Sequence, residues 1–401
     1  MSDLGYLERL LDGAAVEWVP LGEMILPTSN IKWREVDDSR RYIDLTSVDV
    51  TTKKITETKE VTSDDAPSRA QKIVMKDDLI FATTRPTQLR YCLIGDEYSG
   101  EIASTGYCVL RANKSTALPK WIMHWLGTPE FKDFVEANQS GAAYPAISDG
   151  KVKEFLIPIP CSEDRQKSLA IQAEIVRILD AFTALTAELT AELTAELTAR
   201  KTQYNYYRNQ LLSFEGGEVE WKTLGKVARI RTGQSINKNM IAENPGAYPV
   251  INNGREPLGY FDQWNTDSDP IGITSRGAGV GSVTWREGKY FRGNLNYSVT
   301  IKEPKALNVR FLYHILEQFQ PQIKQLCTFD GIPALNAGNL VDLTIPLPAP
   351  EEQSRIATIL DKFDTLTTSL AEGLPREIAL RQRQYEHYRN LLLGFPKGAA
   401  Q

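Results

Sequence analysis

Between Ser168 and Gly216 the chain contains neither Gly nor Pro, and at its middle, residues 186–197, it spells Thr-Ala-Glu-Leu three times in succession. A breaker-free run of good helix formers predicts one helix. From Ser168 to Leu212 that helix would extend about 65 Å at ~1.5 Å per residue, farther than a small domain is wide. It is therefore a spacer, and the fold must hang from it. Upstream, Ile171, Ile175, Ile178, Phe182, Leu185 and Leu189 step alternately by four and three, the a/d seam of a coiled coil. Leu189, Leu193 and Leu197 then step by four only. Each tetrapeptide advances a helix by roughly 6 Å and turns its far end by about 40°, as a stutter does. The competing reading is a plain stalk carrying a low-complexity accident.

A second repeat has a much longer period. Gln172, Ile175, Ile178, Leu179, Asp180, Phe182, Leu185 and Leu189 return 181 residues later as Gln353, Ile356, Ile359, Leu360, Asp361, Phe363, Leu366 and Leu370. The helix ends repeat at the same offset: Gln203-Tyr204, Tyr207-Arg208-Asn209 and Leu211-Leu212 against Gln384-Tyr385, Tyr388-Arg389-Asn390 and Leu392-Leu393. The lead-ins repeat at an offset of 188, Pro145-Ala146-Ile147 and Ile157-Pro-Ile-Pro160 matching Pro333-Ala334-Leu335 and Ile345-Pro-Leu-Pro348. The first copy's seven extra residues fall in Cys161–Lys167, a polar connection where added length costs little. The exits match as well, Val16-Glu17-Trp18 with Val219-Glu220-Trp221, and Tyr6–Leu11 is a fragment of the same helix ending. The repeat is circular: the N-terminal segment opens the first module and the C-terminal helix returns beside it.

The second helix differs in its middle, where Gly373 and Pro375 predict a break, with Pro375 suited to the first turn of the helical segment after it. Glu188, Glu192 and Glu196 repel one another at four-residue spacing, and Arg376, Arg381 and Arg383 lie in the matching stretch of the second helix. An antiparallel helix pair is the expectation. Between the helices lie two unlike blocks with short alternating runs, such as 41–49, 72–76 and 78–84, each followed by a short helix, 118–126 and 309–319. The fold class expected is α+β, with two compact domains separated by two long helices and a circular pseudo-two-fold repeat. The boundaries are an N-terminal segment 1–21, a first block 22–157, a central helical region 158–221, a second block 222–345 and a C-terminal helical region 346–401.

Composition excludes several classes. A net charge of −5 gives no global signature of a nucleic-acid binder, so charge is examined locally: residues 222–345 hold 14 Lys/Arg against 10 Asp/Glu, and 22–157 hold 18 against 20. Cys92, Cys108, Cys161 and Cys327 are scattered and read as reduced core residues, with no metal site. The chain starts without a secretory signal pattern and has no apolar run near the ~20 residues of a membrane span, so a cytoplasmic location is expected.

The residues that could carry recognition are polar groups among glycines. Ile273-Thr-Ser275-Arg276-Gly277-Ala-Gly279-Val-Gly281 lacks the Lys of a phosphate-binding P-loop and the spacing of a dinucleotide fingerprint. Its glycines beside Ser275 and Arg276 suit phosphate or base-edge contact, and equally a plain turn. Asn252, Asn253 and Arg255, then Arg292, Asn294 and Tyr297, supply the amides and guanidinium groups that pair bidentately with adenine and guanine, although Asn253-Gly254 also suits a hairpin turn. In the first block the candidates are Arg69, Gln71, Thr83, Thr84, Arg85, Gln88 and Arg90. Leu189, Leu193 and Leu197 are the spacer candidates. His124, His314 and His387 sit in helical contexts and read as packed or solvated, and no methyltransferase, nuclease or nucleophile-elbow motif is present, so no catalysis is expected of this chain.

Two variable blocks alternating with two related long helices, the Ile-Pro-Ile-Pro and Ile-Pro-Leu-Pro lead-ins, and the tandem Thr-Ala-Glu-Leu units resemble the specificity subunit of type I restriction–modification enzymes. The tetrapeptides and the Gln-Tyr and Tyr-Arg-Asn helix ends are most similar to its IC subfamily. The resemblance covers essentially the whole chain. It implies that 22–157 and 222–345 are target recognition domains, each reading half of a split double-stranded DNA sequence, and that the helices form an antiparallel spacer docking two methyltransferase subunits. S-adenosylmethionine, ATP and Mg²⁺ would reside on the modification and restriction subunits, with none in this chain. Two other readings stay open: a specificity module of a type II-like restriction system, and a two-headed scaffold that does not bind DNA.

Overall fold

A computed structural model describes residues 4–214, 219–254, 256–368 and 373–396. Five helices frame it: α1 (Pro119–Leu126), α2 (Arg165–Leu211), α3 (Val309–Gln318), α4 (Pro350–Thr368) and α5 (Leu374–Leu392). α2 is one uninterrupted helix of 47 residues, about 70 Å long. The second long helical stretch is divided: α4 ends at Thr368, and Gly373 precedes α5, whose second residue is Pro375. Proline there lacks only a backbone N–H that would have no helical partner anyway.

The chain forms two compact units, Met1–Thr190 with Leu380–Gln401, and Ala191–Ala379. In the first unit a four-stranded antiparallel sheet has the order Ile25–Leu26, Tyr107–Ala112, Asp78–Ala82, Tyr91–Leu93. A second sheet runs Lys59–Val61, Arg40–Ile43, Ile102–Ser104, Ala70–Ile73, its middle pair parallel. The second unit repeats the pattern with Ala228–Thr232, Asn296–Ile301, Ile271–Thr274, Val283–Trp285, and a smaller sheet in which Pro245–Ile251 runs parallel to Phe291–Arg292. Two expected alternating runs differ from expectation. Asp78–Ala82 is buried on both faces because Leu79 and Phe81 pack in a cluster with Trp121 and Ile122 of α1, while Ile80 and Ala82 pack in another with Ile43, Val48 and Val74, and the run at 41–49 is a strand only to Ile43 before a 3₁₀ turn over Leu45–Ser47.

Each unit closes on its helices through the same contacts. Gln172 on α2 accepts a hydrogen bond from the backbone N–H of Leu118 (3.0 Å) and donates to the carbonyl of Thr116 (3.0 Å). Gln353 on α4 does the same with Asn308 (2.8 Å) and Ala306 (3.0 Å). Asp180 takes Lys120 (2.6 Å) and His124 (3.0 Å) from α1, and Asp361 takes Arg310 and His314 (2.7 Å) from α3. Phe182 stacks on Tyr388 in the first unit, and Phe363 on Tyr207 in the second. The first half of α2 thus meets α5 and the second half meets α4. The pair with α5 is antiparallel, since Phe182 faces Tyr388 while Thr183 bonds Tyr385 (3.1 Å).

The chain's beginning belongs to the first unit. Tyr6 donates to Glu174 (3.2 Å), Trp18 Nε1 to the carbonyl of Pro396 (3.0 Å), and Val16–Pro20 pairs with Leu156–Pro160, as Glu220–Thr223 pairs with Thr344–Leu347 in the second unit. Leu189, Leu193 and Leu197 are half-buried in one stripe, with Ala191, Glu192, Ala195 and Glu196 exposed. Glu196 finds a cation on its own helix, Arg200 (3.2 Å).

Candidate nucleic-acid interface

In both units the strand buried at the centre of the larger sheet emerges beside a hairpin that comes after the short helices. In the first unit Thr84 bridges to Ala146, the N–H of Arg85 donates to Pro145 (2.7 Å), and that of Ile147 to Thr83 (2.9 Å). In the second, Arg276 bridges to Ala334, the N–H of Gly277 donates to Pro333 (2.9 Å), and that of Leu335 to Ser275 (2.8 Å). Thr83-Thr84-Arg85 and Ser275-Arg276-Gly277 therefore occupy one structural position, which the repeated Pro-Ala pairs mark in the sequence.

The candidates divide sharply by their surroundings. Arg85 is exposed, has a left-handed backbone (φ +50°) just before the Pro86–Gln88 turn, and carries its guanidinium 5.6 Å from the ring centre of Tyr144. Gln88 and Arg69 are exposed, and Thr84 is half-buried. Gln71 is exposed but its amide donates back to the carbonyl of Ser68 (2.6 Å). In the second unit Asn253 and Arg276 are exposed and Asn294 half-buried. Among the described residues the Arg276 side chain makes no hydrogen bond or ion pair. Arg255 lies outside the described residues.

Six candidates are buried or spend their polar groups on bonds inside the fold. Thr83 is buried, donating to Gly106 (2.9 Å), and Arg90 donates to the carbonyls of Leu45 and Val48. Asn252 is buried and accepts from the N–H of Leu295 (2.9 Å), while Ser275 is buried under the second hairpin. Arg292, 3% exposed, donates to Asn296 (2.6 Å), to the carbonyls of Tyr297 (3.1 Å) and Asp269 (2.7 Å), and to the Tyr290 hydroxyl. Its burial lowers its pKa, with Tyr290 and Asp269 opposing. Tyr297 is half-buried and its hydroxyl donates to Leu335 (3.0 Å). The glycine run is the turn between Ile271–Thr274 and Val283–Trp285: Gly277 (φ +92°) and Gly281 (φ +78°) adopt a conformation that a side chain resists, and Gly281 donates back to Thr274 (2.8 Å).

Lys53 is a half-buried cation beside the first of these loops. Its ammonium lies 4.5 Å from the Tyr91 ring centre and bonds the carbonyl of Leu89, and burial pulls its pKa down to about 8 against the pull of Asp49. No group of three or more His, Cys, Asp or Glu among the described residues is placed to hold a metal. No described helix is long and apolar enough to cross a membrane.

Two units of related topology, each with an arginine at the foot of a pinned hairpin and different exposed groups at its tip, define a protein built of two recognition units. Residues 34–199 and 217–380 match the type I restriction modification DNA specificity domain, and the chain belongs to that family. It is 37% identical to the type I restriction enzyme EcoR124I/EcoR124II specificity subunit of Escherichia coli, covering 99% of this chain and 98% of that one. It is 32% identical to the EcoprrI specificity subunit of the same organism over 93% of each. Among solved structures, a chain from work on complex assembly and conformational transition of the type I R-M system superposes with a TM-score of 0.70 at 26% identity, covering 94% of this chain and 98% of that one. The HsdS subunit from Thermoanaerobacter tengcongensis gives 0.58 at 25% identity, covering 94% and 96%.

Proposed function

We propose that this chain is the DNA sequence-specificity subunit of a type I restriction–modification complex, each unit reading one half of a bipartite duplex target. The observation that supports this best is the repeated frame with unlike tips. Gln172 and Gln353, Asp180 and Asp361, and the two hairpin feet keep the same bonds, while the exposed groups change from Arg85, Gln88 and Tyr144 to Arg276, Asn253 and Phe329. A frame kept while its tips diverge is what reading two different half-sites requires. Chemistry falls to partners: two modification subunits carrying S-adenosylmethionine dock on the helical regions, and restriction subunits supply ATP- and Mg²⁺-dependent steps.

Methylation mapping with and without the gene tests this reading. A bipartite adenine-methylated motif should vanish from the genome on deletion. With the modification subunits present, the full-length chain should shift a duplex bearing that motif in a salt-sensitive, sequence-dependent way. An unchanged methylome, with no specific shift, removes the reading.

A further inference from the structure

We propose that the hairpins at 139–147 and 327–335 each press an apolar tip into the base stack of one half-site, Tyr144 from the first and Phe329 with Ile332 from the second. This rests on the proposed function, that the chain binds duplex DNA. Tyr144 (72% exposed), Ile332 (69%) and Phe329 (62%) are the most exposed large apolar side chains among the described residues. Single exposed apolar groups are common on protein surfaces. Here the three most exposed fall at equivalent places in two units whose other tip residues differ, Tyr144 and Ile332 each immediately preceding the repeated Pro-Ala pair.

Both tips stand outward on anchored feet. The hairpin feet are fixed by the paired backbone bonds at Pro145 and Ile147 and at Pro333 and Leu335, and the turns run through left-handed glycines, Gly141 (φ +96°) and Gly331 (φ +87°). Ser140, Gly141, Ala142 and Ala143 add no bulk, so the first hairpin presents one ring on a narrow ridge. That shape fits a groove better than the broad patch of a protein interface. Cations stand where phosphates would pass: Arg85 beside the Tyr144 ring, and Arg276 bridged to Ala334 at the foot of the second hairpin. Asp330, exposed on the second tip, would repel phosphate but accept from a cytosine amine, which directs that tip toward base edges. An apolar side chain at such a place acts as a wedge, replacing base-to-base contact at one step and loosening the stack. A nucleotide in a loosened stack leaves it more readily, as a methyltransferase that works on an extruded base requires.

The test uses the full chain assembled with its modification subunits and a duplex of the mapped target carrying 2-aminopurine in place of successive adenines. The wild-type complex should raise 2-aminopurine fluorescence at a step in each half-site. Tyr144→Ala should abolish the rise in one half-site only and weaken duplex binding about tenfold, the scale of one lost stacking contact, while Tyr144→Phe keeps both. Phe329→Ala with Ile332→Ala should silence the other half-site. These side chains are exposed, so thermal unfolding should not change. Lost binding with an undiminished fluorescence rise, equal effects on both half-sites, or variants that fail to assemble with the modification subunits would each overturn the wedge. A wild-type complex that binds its mapped duplex while the variants behave identically removes this inference alone. A wild-type complex that does not bind removes the reading beneath it.

Discussion

Arg276 and Arg292 carry the same group to opposite ends. Arg276 reaches solvent beside the second hairpin, whereas Arg292 spends its donors inside the sheet on Asn296, Tyr297, Asp269 and Tyr290. Arg276→Ala should leave the unfolding midpoint essentially unchanged and weaken binding to the target duplex severalfold. Arg292→Ala leaves those oxygens without their donor and should cost about 3 kcal/mol or more in urea unfolding. Equal destabilisation by the two would contradict this division. Nothing in the sequence separates them, because a guanidinium's chemistry is the same in either place and its burial is settled by strands far apart in the chain. His314 marks another buried group with a measurable consequence. Burial lowers its pKa below the ordinary 6.5 despite Asp361, with Arg310 pushing the same way and Glu317 opposing, and its Nδ1 has no partner to receive a proton's bond. From about pH 6.5 downward the unfolded chain takes up a proton that the folded one refuses, so stability falls as pH falls. For Asp361, burial raises the pKa but bonds from Arg310 and His314 outweigh it, so its contribution is full above 3.8 and is lost only as pH drops further. Stability should therefore decline between about pH 7.5 and 5, and His314→Gln, which keeps an N–H for Asp361, should flatten that decline. An unaltered pH profile in the variant would show that His314 does not carry the linkage.

At the scale of elements, the helices behave as their local chemistry dictates. α2 runs through the tetrapeptides because no residue interrupts it, and its four-residue leucine step leaves Leu193 half-buried and Ala195 exposed. Leu193→Lys should cost about 1 to 2 kcal/mol of stability from lost apolar burial, while Ala195→Lys should fall within about 0.5 kcal/mol of wild type. Equal effects in thermal or urea unfolding would mean that the stripe is not a packing face. The long helix, the interruption before Pro375 and the short helices α1 and α3 were legible because each is written in contiguous residues. The sheets were not. Their strands are between two and seven residues long, and a pair such as Asp78–Ala82 with Tyr107–Ala112 is joined across a separation in the chain, not by local pattern. The apolar tips escaped notice for a related reason: Tyr144 and Ile332 look like core residues until the hairpins holding them outward are known.

Across the whole molecule the circular repeat gives the tetrapeptides their meaning. Gln172 and Asp180 fasten the start of α2 to the first unit, and Tyr204 and Tyr207 near its end pack on Phe363 in the second. Because each end of α2 is held by side-chain contacts within its own unit, a change in the length of α2 should alter the spacing and rotation between those two sets of contacts. Removing Thr194–Leu197 takes out one turn plus a remainder, shortening the helix by about 6 Å and rotating its far end by about 40°. One base pair of DNA turns by roughly 35°, from a repeat of 10–10.5 pairs per turn, so rotation matches one pair per tetrapeptide. Rise matches less well, ~6 Å against ~3.4 Å. Rotation should dominate nonetheless, because a reading head turned out of its groove loses every base contact, whereas a few ångströms of axial error can be spread over bending of helix and duplex. The expected outcome of deleting Thr194–Leu197 is a methylated motif whose two half-sites are unchanged and whose non-specific gap is shorter by one base pair. An intact gap would show that the helix does not set the spacing, and an altered half-site would show that the spacer also shapes the reading heads.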